Sequence, residues 1–88
     1  MQFQHYDLGQ MHTGEVVEII LEGNAANVLL LDSANLNNFK QRRSYRYLGG
    51  QQVRSPGYLR VPNAGHWHIV IHLGGYAGTV RSSVRKVN

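Results

Sequence analysis

Apolar and polar residues along the chain form short clusters that alternate with a period of two. Most clusters are rich in β-branched or aromatic residues, and Gly, Asn or Pro interrupts them about every ten residues. This pattern is typical of antiparallel sheets, because each half-buried strand shows one apolar and one polar face. We therefore predict an all-β fold, an antiparallel β-sandwich of about six to eight short strands, as a single domain over residues 1–88.

Three segments carry the turn and strand patterns of β-hairpins. Residues 14–33 place two apolar runs around Gly23 and Asn24, which both tolerate positive φ. Residues 58–73 place two apolar runs around PNAG, and GGYAG at 74–78 leads from the second run into a C-terminal strand. We expect each of these turns to join two neighbouring strands.

The most apolar run of the chain is followed by its largest irregular connection. Residues 27–32 are almost entirely apolar, so we expect this strand to be buried on both sides. Residues 33–44 are too polar for a core strand. Here Ser33 is predicted to cap a short helical turn through Phe39.

Period-two alternation also assigns side chains to the two faces of each strand. In the strand around Trp67, the indole and the isoleucines at 69 and 71 take the core face. The opposite face carries His66, His68, Val70 and His72. We expect Trp67 to be the centre of the core. The other predicted core residues are Val17, Ile19, Leu21, Leu29, Leu31, Leu59, Val61, Ile69, Ile71, Val80 and Val84.

The amino-acid composition and the lengths of the apolar runs limit the cellular compartments in which we expect the protein. The chain has no cysteine, which excludes a disulfide framework and a thiolate metal site. The first ten residues lack the basic segment and apolar run of a signal peptide. Every apolar run is far shorter than the roughly 18 residues that cross a bilayer. We expect a soluble cytoplasmic protein with no membrane partner.

Acidic and basic residues are segregated along the chain. All 5 Asp and Glu precede residue 40, whereas all 9 Lys and Arg lie at Lys40 or later. We predict that the acidic strand lies beside the basic C-terminal strand, within one sheet or between two copies of the chain. Glu18 or Glu22 would then face a cation of that strand. The candidate cations are Arg81 and Arg85.

The best candidate binding surface is the basic segment, which we define as residues 40–47. Its binding side chains are predicted to be Lys40, Arg42, Arg43, Tyr45, Arg46 and Tyr47. Such a surface attracts an acidic protein or another anionic ligand. Nucleic acid is an alternative partner, because cations contact phosphates while tyrosines stack on bases. A loop that serves only solvation is the third interpretation.

The histidines raise the question of a metal site. His66 and His68 lie two residues apart on one strand face, where both can reach one zinc ion. His72 lies about 13 Å beyond His68, too far to share that ion. A third ligand must come from a neighbouring strand or loop, with His5, His12 or an acid as candidates. We expect instead no metal, and imidazoles on a polar or half-buried face with cross-strand hydrogen bonds.

Signals for catalysis are weak throughout the sequence. Five serines are candidate nucleophiles (Ser33, Ser44, Ser55, Ser82 and Ser83), but none lies in a Gly-x-Ser-x-Gly elbow. The glycines of 74–78 lack the Lys-Ser/Thr that completes a phosphate loop. We therefore expect no enzyme and no cofactor, with a small histidine-metal enzyme as the least favoured alternative to a binding module.

Three segments together carry a family resemblance. They are GNAANVLLLDSANLNNF, YRYLGG and SPGYLRVPNAGHWHIVIHLGGYAGTVRSSV. Over 3–87 the chain resembles a bacterial family of small domains of unknown function, whose members occur alone or beside TIR signalling domains. The resemblance implies a compact β-sandwich and, for members fused to TIR domains, a place in bacterial sensing or defence. It carries no catalytic residue across to this chain.

Overall fold

The computed structural model describes residues 2–87, which contain seven β-strands and one α-helix. In chain order the elements are β1 Gln4–Met11, β2 Val16–Gly23, β3 Ala26–Asp32, α1 Ser33–Lys40, β4 Leu48–Gln52, β5 Gly57–Arg60, β6 Gly65–His72 and β7 Val80–Val87. The predicted all-β class is confirmed. In this part of the chain, no helix has the length and apolar character needed to cross a membrane.

The strands form two antiparallel sheets that pack face to face. One sheet has four strands in the order β1-β6-β3-β4, and the other has three in the order β5-β2-β7. The predicted sandwich is thus confirmed. Side chains link the sheets along both edges. The Tyr6 hydroxyl donates to the Ser82 carbonyl (2.9 Å) at one edge, and the Gln52 amide donates to the Ile19 carbonyl (3.1 Å) at the other.

All three predicted hairpins are wrong, because the strands that flank each turn lie in different sheets. β2 pairs with β5 and β7, whereas β3 pairs with β4 and β6. The β5–β6 and β6–β7 connections cross between the sheets in the same way. Gly23 does adopt a positive φ of 99°. A reversal of the chain, however, can cross the ~10 Å between two sheets as well as the ~4.8 Å between two strands.

Trp67 lies in the apolar layer between the sheets. It is 6% exposed, and its indole N–H donates to the Asn63 carbonyl at 2.9 Å. Val80 and Val84 pack against the same layer, as the alternation of β7 predicts. The buried residues of this layer are Met11, Val17, Ile19, Ala26, Val28, Leu30, Val61, Trp67, Ile69 and Ile71.

The prediction for β3 needs a correction. Leu29 and Leu31 are buried, but they face away from the other sheet, because the inward positions of β3 belong to Val28 and Leu30. They form a second apolar cluster under α1. Its buried members are Leu29, Leu31, Leu36, Phe39 and Val70. Burial of β3 on both sides, which the continuous apolar run predicts, is confirmed.

The helix α1 occurs where the sequence predicts a short helical turn, with a different cap. The N-cap residue is Asp32, whose side chain accepts a hydrogen bond from the Asn35 amide at 2.9 Å. Ser33 is the first helical residue. A carboxylate at the N-cap satisfies a free backbone N–H and also suits the positive end of the helix dipole. The hydroxyl of Ser33 is thereby left available for another contact.

The segregated charges meet in the three-stranded sheet. The β2–β7 register places Glu18 opposite Arg85 and Glu22 opposite Arg81. The Arg85 guanidinium donates from Nε to Oε1 of Glu18 at 2.5 Å. The prediction that the acidic strand faces the basic C-terminal strand is confirmed, and the pairing occurs within one chain.

Candidate functional site

The outer face of the four-stranded sheet carries both groups of residues that the sequence identifies as candidates. α1 lies across this face and packs on β3 and β6 through the second apolar cluster. Its first residue, Ser33, contacts a histidine of β6, and its last residue, Lys40, begins the basic segment. A helix of 8 residues is about 12 Å long. The two candidate sites therefore lie at opposite ends of one short helix.

The helix ends in a Schellman motif that positions Arg42. The Arg43 amide donates to the Asn38 carbonyl at 2.8 Å, and the Arg42 amide donates to the Phe39 carbonyl at 3.2 Å. Arg42 has a left-handed φ of 59°. Glycine is usual here, because a residue with a Cβ costs about 1 kcal/mol or more in this conformation. The fold thus holds an arginine at a position that favours glycine.

The cations of the basic segment are exposed. They are Lys40, Arg42, Arg43 and Arg46. The segment itself is anchored to the helix, since the Arg46 amide donates to Oδ1 of Asn35 at 2.8 Å. Within residues 2–87, the two ion pairs both lie in the sheets. The described part of the chain therefore supplies no carboxylate that neutralises the basic segment.

The two tyrosines of the basic segment have different environments. Tyr45 is half-buried and packs edge-on against Phe39, with ring centroids 5.2 Å apart. The Tyr47 ring lies 5.6 Å from that of Tyr45 and is 48% exposed. Both residues precede β4. The structure thus places the two tyrosines in contact with each other, and Tyr47 is the one that presents its ring to solvent.

A histidine cluster forms where β1 pairs with β6. Asp7 lies opposite His68 in the register, so His5 and Asp7 share the outer face with His66 and His68. The register shifts between Asp7 and Gly9. At this irregularity Oδ1 of Asp7 lies 2.5 Å from Nε2 of His66. We call His5, Asp7, His66 and His68 the histidine cluster.

His68 is the buried member of the histidine cluster. Its Nδ1 lies 2.9 Å from Nε2 of His5, and its Nε2 lies 2.9 Å from Oγ of Ser33. The His66 ring stacks on it with centroids 4.9 Å apart. The predicted cross-strand hydrogen bonds are therefore confirmed. His68 is only 6% exposed, however, because the first turn of α1 covers a ring that the alternation placed on a polar or half-buried face.

Within the histidine cluster, the environment favours a neutral His68 and an ionised Asp7. Burial lowers the pKa of His68, although the charge of Asp7 opposes this effect. Burial also lowers the pKa of His72. The Gly9 amide hydrogen bond, followed by the His66 hydrogen bond, lowers the pKa of Asp7. These are the protonation states in which both residue types bind metal ions.

The cluster offers two kinds of chemistry. The contacts from Ser33 through His68 to His5 form a continuous line of hydrogen bonds that can transfer a proton. Asp7, His66 and His68 instead offer three ligand atoms that all lie within 4.8 Å of one another. A cleft of about 950 Å³ opens elsewhere, and its lining includes no residue of the histidine cluster or the basic segment. Both candidate sites therefore lie outside this cleft.

Sequence reasoning missed two members of this region. It gave His5, His12 or an acid as candidates for a third metal ligand without identifying Asp7, and it assigned Ser33 a capping role. A signal for Asp7 exists, because His5 and Asp7 alternate in the same way as His66 and His68. Two such pairs fit neighbouring strands. The contact of Ser33 depends on how α1 crosses the sheet, which local sequence does not encode.

A family model described as "Domain of unknown function (DUF1883)" matches residues 1–88. The match covers every strand of both sheets, α1 and both candidate sites. No curated protein and no solved structure matches the chain.

Proposed function

The chain belongs to the DUF1883 family, and from its geometry we propose an interaction module, not an enzyme, that binds an acidic partner through the basic segment. The observation that carries this proposal is Arg42, which keeps a left-handed backbone beside Arg43 at the end of α1. Unfavourable backbone conformations are concentrated at functional sites. The positive charge of the basic segment, which has no carboxylate partner within residues 2–87, also supports the proposal.

An acidic protein is a better partner for this surface than a single-stranded nucleic acid. Stacking on bases requires exposed aromatic faces beside the cations. Tyr45 is engaged by Phe39, which leaves Tyr47 as the tyrosine of the segment that is open to a base. Exposed arginines, in contrast, form forked hydrogen bonds with carboxylates without an aromatic platform. The charge and the limited stacking surface together support an acidic polypeptide.

The setting of this interaction is part of the proposal. The resemblance to bacterial domains found alone or beside TIR domains supports a role in bacterial sensing or defence, in the cytoplasm. In such a system the acidic surface would belong to another component, and the basic segment would provide the contact. Electrostatic attraction of this kind accelerates association and weakens as salt rises.

The test compares two variants with the same change in net charge. Arg42 and Arg43 are both replaced by Glu in one variant, and Arg54 and Lys86 in the other, since all four are exposed. Binding of a labelled poly-glutamate peptide is measured at low and moderate salt. We expect the first variant to lose roughly tenfold in affinity, since two exposed ion pairs are replaced by repulsion. The variant at Arg54 and Lys86 serves as the control and should lose much less affinity.

Three results would contradict the proposal. Equal losses in the two variants would mean that net charge alone attracts the peptide. Unchanged binding by the Arg42 and Arg43 variant would mean that the basic segment serves solvation. Stronger and Tyr47-dependent binding of a single-stranded oligonucleotide would favour the nucleic-acid alternative, because base stacking adds about 1 to 3 kcal/mol per base.

A further inference from the structure

The histidine cluster combines ligand types and spacing that suit a transition-metal ion. Asp7, His66 and His68 come from two paired strands, and their ligand atoms lie within 4.8 Å of one another. Zinc binds imidazole nitrogen and carboxylate oxygen at about 2.0 to 2.2 Å. Ligand atoms that lie within 4.8 Å of one another need only small side-chain movements to surround one ion. In place of the metal-free face expected from the sequence, we infer that Asp7, His66 and His68 form a binding site for a divalent first-row transition-metal ion such as Zn²⁺.

The backbone holds the carboxylate of this site in place. Oδ1 of Asp7 accepts a hydrogen bond from the Gly9 amide at 2.8 Å, directly at the register shift of β1. Bulges of this kind occur next to functional sites, where they redirect a side chain. Here the shift turns the Asp7 carboxylate toward His66, although the register places Asp7 opposite His68. The strand thus brings one carboxylate to two imidazoles.

The surroundings of His68 are suited to orient a metal ligand. Its two ring nitrogens contact His5 and Ser33, each at 2.9 Å. When the ion binds, one of these contacts is replaced and the other fixes the ring. Metal-binding histidines almost always use their second nitrogen in this way. β6 also lies between β1 and β3 in the sheet, so its backbone is held on both sides.

The composition of the site defines the class of ion and leaves room for a further ligand. Two imidazoles and one carboxylate are a ligand set used by zinc and non-haem iron sites that keep open coordination positions. Asp7 and His66 are exposed, whereas His68 is buried. The ion would therefore approach from solvent and rest on His68. His5, beside His68, is in position to act as an additional ligand. This site is independent of the acidic-partner surface at the other end of α1.

The test uses protein without an affinity tag, after treatment with EDTA. Thermal unfolding is followed with and without ZnCl₂ for the parent protein and for His66→Gln, Asp7→Asn and His12→Gln. His12 is an exposed histidine outside the site and serves as the control. With free zinc at ~100 times Kd, we expect the parent melting temperature to rise by about 10 °C or more. His12→Gln should keep this rise, and the two site variants should lose most of it.

A second measurement does not depend on the variants. Calorimetric titration of the parent protein with ZnCl₂ should give one ion per chain, and a Co²⁺ titration should give the visible absorption of a nitrogen- and oxygen-bound ion. Absence of binding by the parent in these titrations would overturn the inference. Undiminished zinc binding by both His66→Gln and Asp7→Asn would overturn it as well, since the ion would then lie elsewhere.

Discussion

The outer faces of the two sheets differ in how completely their charged side chains are paired. On the three-stranded sheet, Glu18 binds both Arg85 and the Tyr58 hydroxyl. On the four-stranded sheet, the histidine cluster lies at one end of α1, and the basic segment at the other end has no carboxylate partner within residues 2–87. Strand pairing thus provides a partner for Glu18 on the first face and for Asp7, through His66, on the second, whereas the cations of the basic segment have no carboxylate partner in the described residues. This difference is the reason why both proposed sites are assigned to the four-stranded face.

The same two faces differ in how they are covered. α1 lies on the four-stranded sheet and adds a second apolar cluster there. The outer face of β2, in contrast, leaves Ile20 37% exposed. The candidate binding surface therefore depends on the packing of α1 against β3 and β6. The loss of unfolding free energy on truncating a buried side chain of α1 is therefore the largest difference that we expect between the two faces.

Truncating Leu36 should destabilise the protein more than truncating Ile20. Leu36 is 6% exposed in the cluster under α1, whereas Ile20 is 37% exposed on the opposite face. We expect Leu36→Ala to lower the free energy of unfolding by about 2 to 4 kcal/mol, and Ile20→Ala by less than about 1 kcal/mol. Chemical denaturation measures both values. Equal losses would mean that α1 contributes no more than an ordinary surface, which contradicts the comparison.

Side-chain alternation was a sound guide to the faces of the strands, but not to their partners. Trp67 and Val84 lie inward and His66 lies outward, because period two follows from the backbone of any strand. The hairpin predictions failed because turn residues such as Gly23 reverse the chain without selecting a sheet. In β3 the choice between two apolar faces failed for a related reason. A strand buried on both sides has no polar face to mark its orientation.

The candidate sites could be predicted only as far as local sequence defines them. The six candidate residues of the basic segment could be identified because they are close in sequence. Asp7 joins His66 from 59 positions away, which requires knowledge that β1 pairs with β6. The pairing of Glu18 with Arg85 was predictable, since charge segregation leaves few other partners for an acidic strand.

Replacing Arg42 by Gly should change stability and peptide binding in opposite directions. The φ of 59° at Arg42 is one that glycine adopts without a Cβ penalty. We expect Arg42→Gly to raise the free energy of unfolding by about 1 kcal/mol and to weaken poly-glutamate binding. Arg43→Gly provides the control, because Arg43 has no positive φ. A less stable Arg42→Gly protein would show that the arginine side chain stabilises the helix end, contrary to the proposed function.

The histidines of the four-stranded face and Glu18 of the three-stranded face should also contribute to stability in different ranges of pH. Burial lowers the pKa of His68 and His72, so the unfolded chain takes up their protons first as the pH falls below the ordinary value of 6.5. The Arg85 hydrogen bond is the main cause that lowers the pKa of Glu18 below its ordinary 4.5. The unfolded chain again takes up the proton first, but only below about pH 4.5. In both cases stability falls as pH falls.

Melting curves recorded in EDTA at intervals from neutral to acidic pH separate the two contributions. His72→Gln should flatten the decline that begins below the ordinary histidine pKa of 6.5 and leave the more acidic step intact. Glu18→Gln removes the carboxylate that Arg85 holds ionised, so it should lower the melting temperature above about pH 4.5, flatten the decline below that value and leave the histidine step intact. We expect these to be the smallest of the predicted changes, since each involves one or two groups. If both variants changed the same pH range, the two faces would be coupled through the shared core, and their treatment as separate faces would be wrong.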